Sequence, residues 1–411
     1  MSPHRWLPTL VVAAALACPA DAGPLTFAQA LDRAAASAPS LQAAALQAEA
    51  ARAAARAAGA LPDPKLNVGV EGFPVSGPNA GHPSRDDFSD VKVGIMQDVP
   101  NKGRRQAAVA GAAAAISQAE AARLGELRKV KVATALAWID LEYAERRLAA
   151  VDQVLASLRP LWKAQPSAVA AGRQRPGQAL SPIQMRAALE DQRSEQVANL
   201  ARARAELTRW TGEADPSVVG PPPDYQIDPR QLRAALETNP TLLAYHSAAL
   251  RAEAEVNAAR AAEHPDWGWE VAYQRRDPRF GDMLSAGVTV SLPLFARTRQ
   301  EPLLAARRAE ASRVHADRED ARRGLAAQLD ADLADHEMHH DQWMRTTGVV
   351  VPAAKQRADL ETVSYAAGTA TLADVLDAMT ALADAKLIAL EREAMVVRDG
   401  ARIVLTYGSD Q

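Results

Sequence analysis

The sequence matches itself. Residue n set against residue n+201 pairs Leu31 with Leu232, Pro39 with Pro240 and Leu41 with Leu242. The match continues without a gap through Ala43/Ala244, Ala51/Ala252, Pro64/Pro265 and Val70/Val271. After a loop of different length it resumes at Gly94/Gly287 and Pro100/Pro293. An ordered series of this kind marks an internal duplication, so the fold must be assembled from two similar halves. The first copy runs over residues 23–220 and the second over 221–411, with Gly220-Pro221-Pro222-Pro223 as the joint. Each copy opens as a helix, a proline step (SAPSL, TNPTL), a longer Ala-rich helix and a strand entered through proline.

Each copy then carries two short strands and two long helices. The first places strands near 64–75 and 88–99 and long helices near 101–163 and 179–211; the second places strands near 266–276 and 284–293 and helices near 298–365 and 370–407. Leu66, Val68 and Val70 alternate with Asn67, Gly69 and Glu71, and Val91, Val93 and Ile95 alternate with Lys92, Gly94 and Met96. Trp267, Trp269, Val271 and Tyr273 repeat the pattern, as do Ala286, Val288, Val290 and Leu292. This period of two belongs to a sheet with one wet and one apolar face. In the first long helix Val130, Ala137, Ala144, Val151 and Leu158 form one heptad line, and Thr134, Leu141, Leu148, Leu155 and Trp162 form the other. In the second copy Leu329, Trp343 and Val350 define a corresponding line, with Leu333 beside it. About 60 residues at 1.5 Å each make a rod of roughly 90 Å, longer than a globular core, which must pack laterally.

Composition agrees with side-by-side helices. The apolar fraction is 48% although aromatics are only 4%, because alanine is abundant, and alanine favours helix and close backbone approach. The net charge of -3 is dispersed and gives no nucleic-acid surface. Residues 1–22 read as a secretory signal: His4 and Arg5, an apolar run from Leu7 to Ala17, and Ala20-Asp21-Ala22 as the cleavage pattern. Cys18, the only cysteine, lies within it, either cleaved away or lipid-modified. No later apolar run reaches the length of a transmembrane helix. A mature chain that enters a membrane must therefore do so as a barrel. Four strands cannot close one, since membrane barrels need at least eight. Several chains would have to pool them; the alternative is a four-stranded sheet in a soluble α+β protein.

With these features assembled, the sequence resembles the TolC-like outer-membrane efflux protein family across essentially the whole mature chain. The resemblance rests on the doubled opening LTFAQALDRAAASAPSL and LRAALETNPTLLAY, and on the strand exits QDVPNKGRRQ and SLPLFARTRQ. The turn SYAAGTATLADVLDA and the repeat endings LTRWTG and VLTYG complete it. It implies a mainly α protein with a small β part. Each of three chains would contribute four strands to a twelve-stranded outer-membrane barrel, continued by a long periplasmic α-helical tube. It further implies a homotrimeric duct without catalysis or cofactor, which docks on a periplasmic adaptor and an inner-membrane pump of the resistance-nodulation-division type. The exit motif QDVPNKGRRQ is most like the heavy-metal branch, which exports divalent ions such as cobalt, zinc and cadmium, or monovalent copper and silver. Multidrug efflux and the exit duct for secreted proteins are the alternatives. A periplasmic coiled-coil scaffold is a third reading, outside the membrane.

Two clusters are candidate sites. The stretch Ser364–Lys386 reads as a Gly-containing turn and a helix with an apolar stripe (Leu372, Val375, Leu376, Met379, Leu382) beside an acidic one (Asp374, Asp377, Asp384). A solvated face is the plain reading. The resemblance implies instead that Asp374 and Asp377 ring the narrowest constriction of the periplasmic mouth, six carboxylates in a trimer. It also implies that Tyr365, Gly368, Thr369, Leu372, Ser181 and Pro182 belong to the tips that contact the adaptor. Ala370 stands where the best-known members of that family place an arginine that helps latch the tips. The second cluster is His336-Glu337-Met338-His339-His340, where His336 and His340 have a spacing that can chelate a metal ion. Both lie on the heptad lines of Leu329 and Leu333, so polar packing between helices competes with a metal site formed by His336, His339 and His340.

Overall fold

The computed structural model describes residues 23–170 and 180–408, without the side chains of 161, 164–170 and 181. The signal reading and Cys18 lie outside the described residues. Nine α-helices are described, α1 Phe27–Ser37, α2 Pro39–Ala57, α3 Lys102–Ala170, α4 Leu180–Thr211, α5 Pro229–Ala235, α6 Pro240–Ala261, α7 Glu301–Arg345, α8 Val351–Ala366 and α9 Leu372–Tyr407. The strands are β1 Lys65–Glu71, β2 Asp90–Val99, β3 Trp267–Arg275 and β4 Met283–Val290. The chain is mainly α with one small sheet. None of its described helices is long and apolar enough to cross a membrane.

Two compact units are present, and each draws on both copies of the repeat. One comprises the described residues up to Ala38, with Lys131–Tyr225 and His336–Arg402; the other comprises Pro39–Val130, Gln226–Asp335 and the described residues from Ile403. In the first unit, Thr26 and Gln29 close a reciprocal capping box that starts α1. Leu25 is buried, and its carbonyl accepts Trp138 Nε1 at 2.9 Å. Phe27 meets the Trp138 ring edge-on at 5.5 Å.

The second unit holds the sheet, ordered β1-β2-β3-β4 and antiparallel throughout. Its register sorts the alternating residues into rows. Leu66, Ile95, Val271 and Ala286 lie in one row, and Val68, Val93, Tyr273 and Leu284 in the next. Every large apolar side chain of these rows is exposed, from 41% for Val271 to 74% for Leu284. A soluble sheet would bury this face. The opposite face carries Asn67, Gly94, Ser285 and Thr289, and there Lys92 Nζ lies 3.3 Å from Glu71 and 3.2 Å from Glu270. The outer edges of β1 and β4 have no strand beside them among the described residues.

The exit from β2 is tied to the opposite repeat by Asn101. Its side-chain amide donates to Ala261 O and Asp266 Oδ1, both at 2.9 Å, while its Oδ1 accepts Arg104 N and so caps α3. Near the other end of this unit Leu232, Leu236, Leu329, Ile403 and Tyr407 form an apolar cluster. Tyr407 donates its hydroxyl to the buried Asp332 at 2.8 Å.

The long helix expected in the second copy is interrupted. Instead of one helix to Tyr365, the second copy has a five-residue π turn, Thr346–Val350, between α7 and α8. Inward positions step by three and four through Leu329, Asp332, His336, His339, Trp343 and Thr346, then by five to Val351, and again by three and four to Ala354 and Ala358. Val350, expected on the buried line, is 46% exposed. Pro352 lacks an N–H for the carbonyl of Gly348 and its ring crowds that carbonyl, which the wider turn relieves. The Gln342 carbonyl accepts the Thr346 hydroxyl at 2.8 Å and Arg392 Nη1 at 3.0 Å, so the backbone oxygen at the irregularity stays paired.

Candidate functional site

The turn between α8 and α9 is held by its own backbone. Gly368 has φ +79, a left-handed conformation that glycine adopts without strain. Its N–H donates to Tyr365 O at 3.0 Å and the next N–H, of Thr369, donates to Ser364 O at 2.9 Å. This pair of bonds is the Schellman ending of α8. The Thr369 hydroxyl donates to the same Ser364 oxygen at 3.0 Å. Three residues on, Thr371 caps α9. Its N–H and hydroxyl both donate to Asp374 Oδ2, at 2.8 and 2.7 Å, and Asp374 N returns a bond to Thr371 Oγ1 at 3.3 Å. The carboxylate also lies in the first turn, where the helix dipole favours negative charge.

The two acidic residues of the predicted constriction are therefore not equivalent. Asp374 is exposed, and the side-chain and then the backbone donor of Thr371 hold its carboxyl below the usual carboxylate range. Asp377, one turn on, is exposed and makes no hydrogen bond or ion pair with any described residue. Asp384 is exposed on the same stripe. The spacing T-x-x-D is a capping signature legible in the sequence, and it assigns Asp374 a structural task that the stripe alone conceals.

The predicted tip residues also divide. Gly368 and Thr369 are exposed and Tyr365 is half-buried. Leu372 is 4% exposed and belongs to a cluster with Leu158, Leu189 and Leu376, against which Tyr365, Trp162 and Met185 pack. Pro182 is buried in the first turn of α4. Ser181 lies in α4 with its side chain outside the described residues. Gly368 and Thr369 present surface, while Leu372 and Pro182 hold the helices beneath it.

The histidine run separates by helical phase. His339 Nδ1 lies 2.6 Å from Asp399 Oδ2 on α9. His336 and His340 face another way, their ring centroids 6.5 Å apart, and His340 meets Trp343 edge-on at 5.8 Å. Burial lowers the pKa of His336 and favours its neutral form, the Asp399 carboxylate opposing this in part. Among the described residues no three His, Cys, Asp or Glu side chains gather closely enough to hold a metal ion.

The family model described as "Outer membrane efflux protein" matches residues 30–213 and 232–408. The chain is 26% identical over 376 residues to the cobalt-zinc-cadmium resistance protein CzcC of Cupriavidus metallidurans, a match that covers 89% of this chain and 86% of that one. Its fold superposes with a TM-score of 0.81 on a membrane protein from Pseudomonas aeruginosa, at 18% identity and covering 93% of this chain and 90% of the other. With CusC, studied for the conformational changes accompanying folding and transmembrane channel formation, the TM-score is 0.80 at 16% identity, covering 93% and 92% of the two chains.

Proposed function

The chain belongs to the outer membrane efflux protein family, and we propose from that premise that it is the passive outer-membrane duct of a tripartite heavy-metal export system. The observation that carries the reading is the sheet. It has an outward face of exposed Leu, Val, Ile, Trp and Tyr, a polar face opposite, and two free edges. Open edges are not tolerated in lipid, whereas three copies pair every edge and reach twelve strands, within the range of membrane barrels. The polar faces would then line a water-filled lumen. The helices would continue it through the periplasm of a Gram-negative cell, toward an adaptor and an inner-membrane pump of the resistance-nodulation-division type.

Asp377 and Asp374 act as cation-attracting rings at the mouth of this tube, Asp377 free to face the passage and Asp374 shared with the cap of α9. Gly368 and Thr369 form the exposed part of the adaptor contact; Tyr365, Leu372, Ser181 and Pro182 form its support. Metal cations as cargo are supported by the likeness to the cobalt-zinc-cadmium resistance protein. The gene is deleted and growth is measured on graded zinc, cobalt, cadmium and copper and on a panel of drugs. Sensitivity to metals supports the reading, and sensitivity to drugs alone replaces it with multidrug efflux.

A further inference from the structure

His336 and His340 share one wall of a cavity of about 320 Å³. Asp224 and Tyr225, just past the proline joint, form another wall, and Glu393 and Gly400 of α9 a third. Two polar atoms among the lining residues are buried without a hydrogen-bond partner, His336 Nδ1 and Trp343 Nε1. Buried polar groups are normally paired, so an orphaned imidazole nitrogen beside a cavity calls for a ligand. The second imidazole stands one helical turn away with its plane tilted 36° from the first. Rotation about the side-chain torsions brings such a pair onto a single ion at the roughly 2.0–2.1 Å of a histidine–metal bond.

We propose that His336 and His340 chelate a divalent transition-metal ion, such as zinc or cobalt, that enters this cavity. Imidazole suits these borderline ions. Asp224 and Glu393 supply negative field across the cavity, although Glu393 also accepts the Tyr143 hydroxyl at 3.0 Å and lies 3.5 Å from Arg146. His339 is not a ligand, because helical phase turns its ring to Asp399 and it does not line the cavity. The chain supplies two ligands and water completes the shell, so the ion exchanges, unlike one in a closed structural site. The proposal does not depend on what the duct exports, since a drug channel could carry the same pair.

Full-length protein is purified in detergent without a polyhistidine tag and titrated with cobalt and zinc chlorides. The readouts are the visible absorption of bound cobalt and competition with a chromophoric chelator. One ion per chain should bind wild type and His339→Gln alike, and the affinity should fall at least tenfold in His336→Gln and in His340→Gln. His340 is exposed, so its variant reports ligation without a packing defect. Absence of binding to wild type, equal binding by His340→Gln, or an equal loss in His339→Gln would overturn the proposal.

Discussion

The long helices of the two repeats start from the same heptad pattern and keep it to different lengths. In α3, Val130, Ala137, Ala144, Val151 and Leu158 are each no more than 2% exposed, one unbroken line across four heptads. In α7 and α8 the matching line begins with Leu329 at 0% and has left the interior by Val350 at 46%. Proline alone does not explain the difference, since α3 runs on past Pro160 as α-helix. The second repeat adds the buried Thr346 hydroxyl and the Arg392 guanidinium, two donors for a carbonyl at the irregular turn. A π turn persists where the surrounding structure satisfies the groups it disturbs. The duplication thus fixes which residues start alike, and tertiary partners decide where the copies diverge.

The most demanding test of the likeness between repeats is a cross-link. Ile95 pairs with Val271 within the chain, and the repeat relation carries that pair to Val288 and Val70. Under the proposed trimer, Val288 on β4 of one chain then lies opposite Val70 on β1 of the next. Directly opposed strand residues have Cβ atoms about 4.5–5.5 Å apart, close enough for a disulfide in the nearer pairs. Val70→Cys with Val288→Cys should yield dimers and trimers on non-reducing gels. Ile95→Cys with Val271→Cys should cross-link only within the chain. Monomer alone from the first pair, with the second pair formed, would remove the barrel register.

A smaller effect probes the difference between the copies. Leu158→Ala should lower stability by about 2–5 kcal/mol, as for a fully buried leucine. Val350→Ala should change it by no more than about 0.5 kcal/mol, as at an exposed position. Thermal or denaturant unfolding reads both, and similar costs would restore the continuous heptad line. The smallest effects are expected on the acidic stripe. Asp377→Ala should weaken the cation block of single-channel current and leave the melting temperature unchanged. Asp374→Asn should lower the melting temperature by removing the negative charge from the cap of α9. A carboxyl with a depressed folded pKa stabilises above its unfolded pKa and loses that contribution as pH falls through the folded value. The difference between wild type and Asp374→Asn should therefore hold at mildly acid pH and vanish only below the ordinary carboxylate range.

Much of this is legible in the sequence. The alternating residues lie in the four strands of the sheet, and the resemblance named the family. What escaped were features set by partners distant in sequence. Asn101 reads as an ordinary loop residue until its contacts with Ala261 and Asp266 are known. The five-residue step is invisible to counting by threes and fours. In the histidine run, helical phase sends His339 to Asp399 and leaves His336 with His340, a division that the spacing of the residues alone does not show. In the acidic stripe the signal was local and present, in Thr371 three residues before Asp374, and only the ring expectation hid it.

The α8–α9 turn has a mechanical consequence. Its bonds join Ala367 to Val363, Gly368 to Tyr365, Thr369 to Ser364 and Thr371 to Asp374. A load applied at Gly368 or Thr369 is therefore passed into the last turn of α8 through these backbone bonds, and into the capped start of α9 through the short segment Ala370–Thr371. The turn is expected to act as a stiff coupling, with bending farther along, at the π turn Thr346–Val350 where the ladder of hydrogen bonds changes pitch.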